Sequence, residues 1–367
     1  MIRRSALALL TTAVIVAGSP ALAAGAAESA PAPADQPTTY RIDGANRFET
    51  NQILNSIFSS EDVPAPPVVY VANAYSYPDA LSAVPAAGSV GGAIVITPGD
   101  SLIEQAADQL EELKPARIVV VGGVNSISEA TYEQIAQYAP GATTRIAGVD
   151  RYETSRKIAE EAFCPDPGAT TCGVTTGLFA SGANFADALS AGPAGVHIDA
   201  PVILVPPTGL DGPTSQLISR FGFEEAAVIG GKSSISDDTL AAIHALVPGD
   251  KATFRLSGEN RYATSVAVAY QFFGGTDSVF VASGETFPDA LSAGPVTRTF
   301  NSPIYLSSKE CLPNVVYGDI QDIGATDVYL VGGPASLATP ALDQLQTCDP
   351  ITTKSETAPV SPRGARG

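Results

Sequence analysis

Three arginines, Arg47, Arg151 and Arg261, each follow an Asn or Asp that suits a helix N-cap, inside a block that the chain repeats. The copies read Arg41-Ile-Asp-Gly-Ala-Asn-Arg47-Phe, Arg145-Ile-Ala-Gly-Val-Asp-Arg151-Tyr and Arg255-Leu-Ser-Gly-Glu-Asn-Arg261-Tyr. With Asn46, Asp150 and Asn260 as caps, Glu49 and Glu153 complete capping boxes, which Ala263 does not. Each guanidinium then falls in a first helical turn, where the helix dipole opposes a cation by about 0.3–1 kcal/mol. A cation misplaced three times over needs an anionic partner. Two are open and compatible: an internal carboxylate, with Asp79, Asp187 and Asp289 as candidates, or a phosphate or carboxylate of a ligand held by the guanidinium fork and nearby helix N-termini.

Those aspartates belong to a second repeated block, Tyr77-Pro-Asp79-Ala-Leu-Ser-Ala, Phe185-Ala-Asp187-Ala-Leu-Ser-Ala and Phe287-Pro-Asp289-Ala-Leu-Ser-Ala. Each is expected to leave a strand and open a helix, with the Asp as its cap and Ser82, Ser190 and Ser292 one turn inside. No base or paired acid stands near them in sequence, which speaks against nucleophilic chemistry. A third block ends an apolar run in Gly122-Gly123, Gly230-Gly231 or Gly332-Gly333, followed by Ser126-Ile-Ser128, Ser234-Ile-Ser236 or Ser336-Leu337. Tight strand-to-helix packing is the default for such a pair, and its backbone N–H groups can also receive an anion, so Gly123, Gly231 and Gly333 join the ligand-facing candidates. No G-x-G-x-x-G is present, and Gly231-Lys232-Ser233 has Ala226 where a P-loop needs glycine.

The elements that must position these groups recur with them. Arg47 and Arg151 are 104 residues apart and Arg151 and Arg261 are 110 apart, the size of a compact unit rather than of a solenoid repeat. In the middle unit a strand opens at Arg145-Ile146, a helix runs from Asp150 to Phe163, and strands are expected at 177–180, 201–205 and 226–229. Helices are expected from Ala186, interrupted near Pro193, and over 212–221 and 236–246. The apolar runs 68–72, 118–121 and 328–331 do not alternate, as expected of parallel strands covered on both faces. The fold class is therefore α/β, with three Rossmann-like or flavodoxin-like parallel-sheet modules.

Arg3 and Arg4, the apolar stretch to Gly18 and the small residues around Ala21-Leu22-Ala23 read as a signal peptide over 1–23, followed by an Ala/Pro linker over 24–39. Modules are expected at 40–143, 144–252 and 253–348, with a disordered tail over 349–367. The paired arginines leave Sec and twin-arginine export both open. No further apolar run is long enough to span a membrane. In an exported chain, four cysteines are most simply two disulfides, and the shortest pairing is Cys164 with Cys172 and Cys311 with Cys348. His197 and His244, the only histidines, sit singly in apolar helical stretches, with no metal-site spacing. The net charge of −18 opposes nucleic acids and anionic membranes as partners. Between Tyr40 and Cys348 there are only 15 Lys and Arg, and six of them hold the two Arg positions of the first block. Scarce positive charge is kept at one landmark.

In combination, Arg-Ile-x-Gly-x-Asn/Asp-Arg, Asp-Ala-Leu-Ser-Ala and the strand ending in Gly-Gly resemble the cell wall-binding repeat type 2 modules of Gram-positive surface proteins. The resemblance implies three modules arranged as an intramolecular pseudo-trimer. It implies a secreted, wall-associated protein attached noncovalently to an anionic wall polymer, either teichoic-acid-like or a secondary wall polysaccharide. No cofactor is expected from the residues, and other surface proteins are a further partner class left open. Carried over position by position, the binding candidates are Arg47, Arg151 and Arg261, with Asp79, Asp187 and Asp289 organising the loops. The first unit departs from the pattern: Tyr75 and Tyr77 replace a simpler loop, and Val84 stands where the others have Gly192 and Gly294. An acidic protein that binds an anionic polymer must do so through local arginine sites or bridging divalent cations, because like charges repel within the Debye length. The competing readings are an extracellular glycan hydrolase using two of the repeated aspartates and a binder of small solutes.

Overall fold

The structure is a computed structural model that describes residues 36–59, 63–164, 166, 172–247 and 253–349. The predicted signal peptide, the first part of the linker and the tail beyond Asp349 lie outside the described residues. The first repeat runs β1 (Thr38–Ile42), α1 (Arg47–Asn55), β2 (Val68–Asn73), α2 (Ala83–Gly88), β3 (Ala93–Thr97), α3 (Glu104–Leu113), β4 (Arg117–Val121) and α4 (Glu129–Ile135). The second runs β5 (Thr143–Ile146), α5 (Arg151–Phe163), β6 (Thr176–Ser181), α6 (Ala186–Ile198), β7 (Val202–Val205), α7 (Gly212–Phe221), β8 (Glu225–Ile229) and α8 (Asp237–His244). The third runs β9 (Thr253–Leu256), α9 (Arg261–Phe272), β10 (Ser278–Ser283), α10 (Pro288–Ala293), α11 (Thr297–Phe300), β11 (Ile304–Ser307), β12 (Leu312–Pro313), α12 (Asn314–Asp322), β13 (Asp327–Val331) and β14 (Thr347–Cys348).

These strands form three parallel four-stranded sheets, ordered β3-β2-β4-β5, β7-β6-β8-β9 and β11-β10-β13-β1, and a small β12-β14 pair. The Arg-led strand that heads each sequence repeat is thus the fourth strand of the preceding repeat's sheet. β5 pairs with β4 and β9 with β8, while β1 travels to the far end of the sequence and pairs with β13, Ile42 opposite Val331. The expected order within the middle unit therefore holds along the chain but not within one sheet. The central strands β2, β4, β6 and β8 are buried along nearly their whole length, as their unbroken apolar runs require.

The three units close on one another through equivalent helices, with α5 packed on α2, α9 on α6 and α1 on α10. At the pseudo-threefold axis the Tyr77, Phe185 and Phe287 rings meet pairwise, with centroids 5.4, 5.7 and 6.2 Å apart. Val84 explains its own departure from the repeat: its side chain fills the space that a Cβ on Gly192 or Gly294 would need. One valine and two glycines make one filled axis, a volume match that no single repeat reveals.

The helix expected to break near Pro193 is instead continuous through it. Every residue from Ala186 to Val196 is buried, and this packing holds a helix that the proline alone disfavours. The interruption occurs in the third unit, between α10 and α11 around Pro295. Both expected disulfides are present, with Cα atoms 4.8 Å apart for Cys164–Cys172 and 5.9 Å apart for Cys311–Cys348. His197 stacks on Phe273 at 4.7 Å, in keeping with a packing role.

Candidate functional site

The order in which the chain lays down strands reverses between the two central strands of each sheet, at β2/β4, β6/β8 and β10/β13. Loops leaving the carboxyl ends of strands at such a switch point form the usual ligand crevice of open α/β sheets. The Asp-bearing segment leaves the first strand of each pair and the Gly-Gly turn leaves the second. The helix of the following repeat brings its first-turn arginine to the same place.

The caps form as the sequence requires. Asn46 Oδ1 accepts from the N–H groups of Phe48 and Glu49, Asp150 from Glu153, and Asn260 from Tyr262 and Ala263. Glu49 and Glu153 reach back to the N–H of Ala45 and Val149, at 2.9 and 2.8 Å. With the helix start fixed, Arg47 donates to the Ala74 carbonyl at 2.7 Å and Arg151 to that of Gly182 at 2.6 Å, and Arg261 makes the same bond to Gly284.

The two arginines of each block have different fates. Arg41 is bound by the Asp343 carboxylate and the carbonyls of Gly332 and Leu337, and Arg145 by the carbonyls of Gly122 and Ile127 and the carboxylate of Glu129. Arg255 is bound by the Gly230 carbonyl and Asp237. These three lash the Gly-Gly turn to the neighbouring strand. Arg47, Arg151 and Arg261 make no ion pair among the described residues. Arg47 and Arg151 are half-buried and Arg261 is exposed, so guanidinium donors remain for a ligand. Arg145→Ala is expected to cost about 2–3 kcal/mol, because buried carbonyls lose a charged donor. Urea unfolding checks this.

The aspartates do not cap. The N-cap positions before α6 and α10 are Phe185 and Phe287, without side-chain bonds, and Asp187 and Asp289 lie one residue inside the first turn. Their carboxyls turn inward against the first glycine of the Gly-Gly pair. A Cβ on Gly122 would lie 2.8 Å from Asp79 Oδ2, and one on Gly230 would lie 2.5 Å from Asp187 Oδ2. Gly122, Gly230 and Gly332 also have φ of 100°, 121° and 115°, so the first glycine is the obligate one. The second glycines, Gly123 and Gly231, face open space, while Gly333 stands beside Asp43. Gly230→Ala combines strain with a clash and is expected to destabilise by about 3 kcal/mol, read as a lowered denaturant midpoint.

Partnership runs around the ring. Asp79 faces Arg151 of the second repeat, Asp187 faces Arg261 of the third, and Asp289 faces Arg47 of the first. Burial raises the pKa of all three above the usual carboxylate value. The Thr154 and Ser126 hydroxyls beside Asp79, Ser234 beside Asp187 and Ser336 beside Asp289 oppose the rise, as does the arginine at each junction. Asp187 and Asp289 are 6% exposed, and Asp187 Oδ2 has no hydrogen-bond partner among the described residues. A carboxylate whose folded pKa lies above its unfolded 3.8 favours folding below that value and costs stability as pH rises past it. Asp187→Asn is therefore expected to melt higher than the parent at pH 7, with the difference shrinking to nothing below pH 4. Thermal unfolding across that range checks the sign.

Sequence reasoning missed the seams between units. Ser82 Oγ bonds Ser155 Oγ at 2.8 Å, and Ser292 Oγ accepts from Asn51 Nδ2 at 3.1 Å. Asn51, Ser155 and Ser265 share one repeat position, four residues after the arginine, and each accepts an edge-strand N–H, from Ile96, Leu204 and Leu306. That shared spacing was the available signal. A groove of about 780 Å³ elsewhere, in the second unit, holds Arg156, Lys157 and Arg220. Each of these is met by its own carboxylate, Asp211, Glu153 or Glu160.

Known proteins share this arrangement. Residues 41–132, 145–240 and 255–340 each match the family described as Cell wall binding domain 2 (CWB2). The chain is 26% identical over 307 residues to the N-acetylmuramoyl-L-alanine amidase LytC of Bacillus subtilis (strain 168), covering 83% of this chain and 58% of that protein. It is 24% identical over 300 residues to the amidase enhancer of the same organism, covering 82% of this chain and 39% of that protein. Among solved structures, Cwp6 from Clostridium difficile superposes with a TM-score of 0.75 at 25% identity, over 86% of this chain and 49% of that one. Cwp8 from the same organism gives 0.73 at 23% identity, over 84% and 51%, and shares the fold. The chain thus spans about half the length of these relatives.

Proposed function

Because this chain belongs to the cell wall binding domain 2 family, we propose that it attaches noncovalently, without chemistry of its own, to an anionic polymer of the bacterial wall. The observation that carries the reading is the division of labour between the two arginines of each block. One of each pair is consumed by the fold, while Arg47, Arg151 and Arg261 stand at the switch points with donors to spare. A guanidinium fork there suits phosphate or carboxylate groups. Three such sites on one body meet successive anionic groups of a repeating chain, so weak sites gain by effective concentration.

The hydrolase reading requires two carboxyl groups about 5–10 Å apart across a cleft. Here each aspartate is packed against its own Gly-Gly turn at a separate junction, with Asp187 and Asp289 buried, which favours attachment. The resemblance to LytC keeps the hydrolytic alternative worth testing, since that relative is an amidase by name. The mature protein is expected to sediment with purified walls and to lose this property once the anionic polymers are extracted. Undiminished sedimentation after extraction counts against the proposal. Release of soluble wall fragments in the same tubes favours an enzyme.

A further inference from the structure

The three junctions share an arginine but differ in what stands beside it. Counting back from the repeated aspartate, the position of Tyr75 in the first repeat is Ala183 in the second and Glu285 in the third. Tyr75 is 62% exposed, one of few large apolar side chains so placed. It is nevertheless held. Its N–H donates to Asn73 Oδ1 at 2.8 Å, its ring meets that of Phe48 edge-on at 6.1 Å, and the Arg47 Cζ lies 4.9 Å from its centroid. A fixed aromatic ring offered to solvent beside a cation with free donors is the pairing that an anionic sugar needs. The C–H groups of a pyranose lie on the ring, and its charged substituent reaches the guanidinium.

The other two junctions have rings, but not one exposed as Tyr75 is. Arg261 Cζ lies 5.8 Å from the centroid of half-buried Phe185, which is packed among the axial aromatics. Beside Arg151 the ring is half-buried Tyr152, and Ala183 adds none at the loop position of Tyr75. Glu285 places a carboxylate in the same loop position near Arg261, where its Oε1 accepts the Lys309 N–H, at 3.3 Å. We infer that the Arg47 junction is a subsite for a negatively charged pyranose, stacked on Tyr75 with its anionic group on Arg47. The Arg151 and Arg261 junctions take an anionic group alone. This rests on the wall-polymer reading and narrows it to a polymer that carries pyranose units.

The test titrates the mature protein with glucose 1-phosphate, glucuronate and glycerol 1-phosphate, followed by ligand-observed NMR. The first two share a ring and differ in the anionic group; the third has phosphate and no ring. Tyr75→Ala is expected to weaken binding of the ring-bearing probe or probes about three- to tenfold and to leave glycerol 1-phosphate within about twofold, and Tyr75→Phe is expected to restore the loss. Equal losses for probes with and without a ring would mean that Tyr75 only positions Arg47, and would overturn the subsite. So would unchanged binding of all three, or a parent protein that binds none. Wall sedimentation run in parallel separates the two claims: a protein that sediments but shows no Tyr75 dependence loses the subsite and keeps attachment.

Discussion

A protein carrying Arg47→Ala, Arg151→Ala and Arg261→Ala together is expected to remain in the supernatant when mixed with purified walls. Each arginine gives up charged hydrogen bonds worth about 1.5–3 kcal/mol in a favourable site, or roughly ten- to a hundredfold in affinity. With three sites on one body the losses compound, and retention falls to background. The fold should survive, because among the described residues each of these side chains bonds one backbone carbonyl, of Ala74, Gly182 or Gly284, with a ring contact added at Arg47 by Tyr75 and at Arg261 by Phe185. The melting temperature is expected to shift by a few degrees only. Single replacements should give intermediate retention, and salt should weaken the parent protein in the same direction. Undiminished retention of the triple variant in a folded protein would sink the arginine sites as the means of attachment. Arg145→Ala supplies the contrast, since it should cost stability while leaving the ligand-facing donors in place.

The second large effect is expected from a short deletion. Removing 38–42 takes away β1, which is the fourth strand of the third unit's sheet although it lies at the opposite end of the sequence. The deletion bares the β13 edge, removes buried Ile42 and releases Asp343 and the Gly332 and Leu337 carbonyls from Arg41. Burial of one isoleucine and one charged hydrogen-bond group each contribute about 1.5–3 kcal/mol, so the loss is about 3–6 kcal/mol, a large share of a typical domain's stability. Hydrogen exchange should show the damage in β10 and β13, some 240 to 290 residues away in the chain, while β2 and β4 keep their protection. A variant whose exchange rises evenly, or only in α1, would show that the ring does not depend on this strand. The Arg47 junction should weaken with it, because Asp289 and the Gly332 turn belong to that same sheet.

The repeated blocks, the N-caps at Asn46, Asp150 and Asn260, the Glu49 and Glu153 boxes and the parallel α/β class are all readable from the chain, because each depends on residues a few positions apart or on the period of an apolar run. The two disulfides are readable because four cysteines paired at their shortest separations, 8 and 37 residues, leave one choice. The arginine positions stand out for the same local reason, as cations at the wrong end of a helix. What those cations meet is a tertiary matter. The aspartates look like caps in sequence, but their carboxyls turn onto the Gly-Gly turns, because burial against a glycine at positive φ competes with the local bond. Which arginine is consumed and which is free depends on the strand carrying Arg41, Arg145 or Arg255 joining the preceding sheet. Which aspartate faces which arginine depends on the ring closing, with β1 reaching β13 and Val84 filling the axis that Gly192 and Gly294 leave open. Local chemistry fixes the parts because its energies are spent within a turn or two of helix. The junctions are decided by packing between segments one or more repeats apart, where a shared spacing marks equivalent positions but does not say which of them meet.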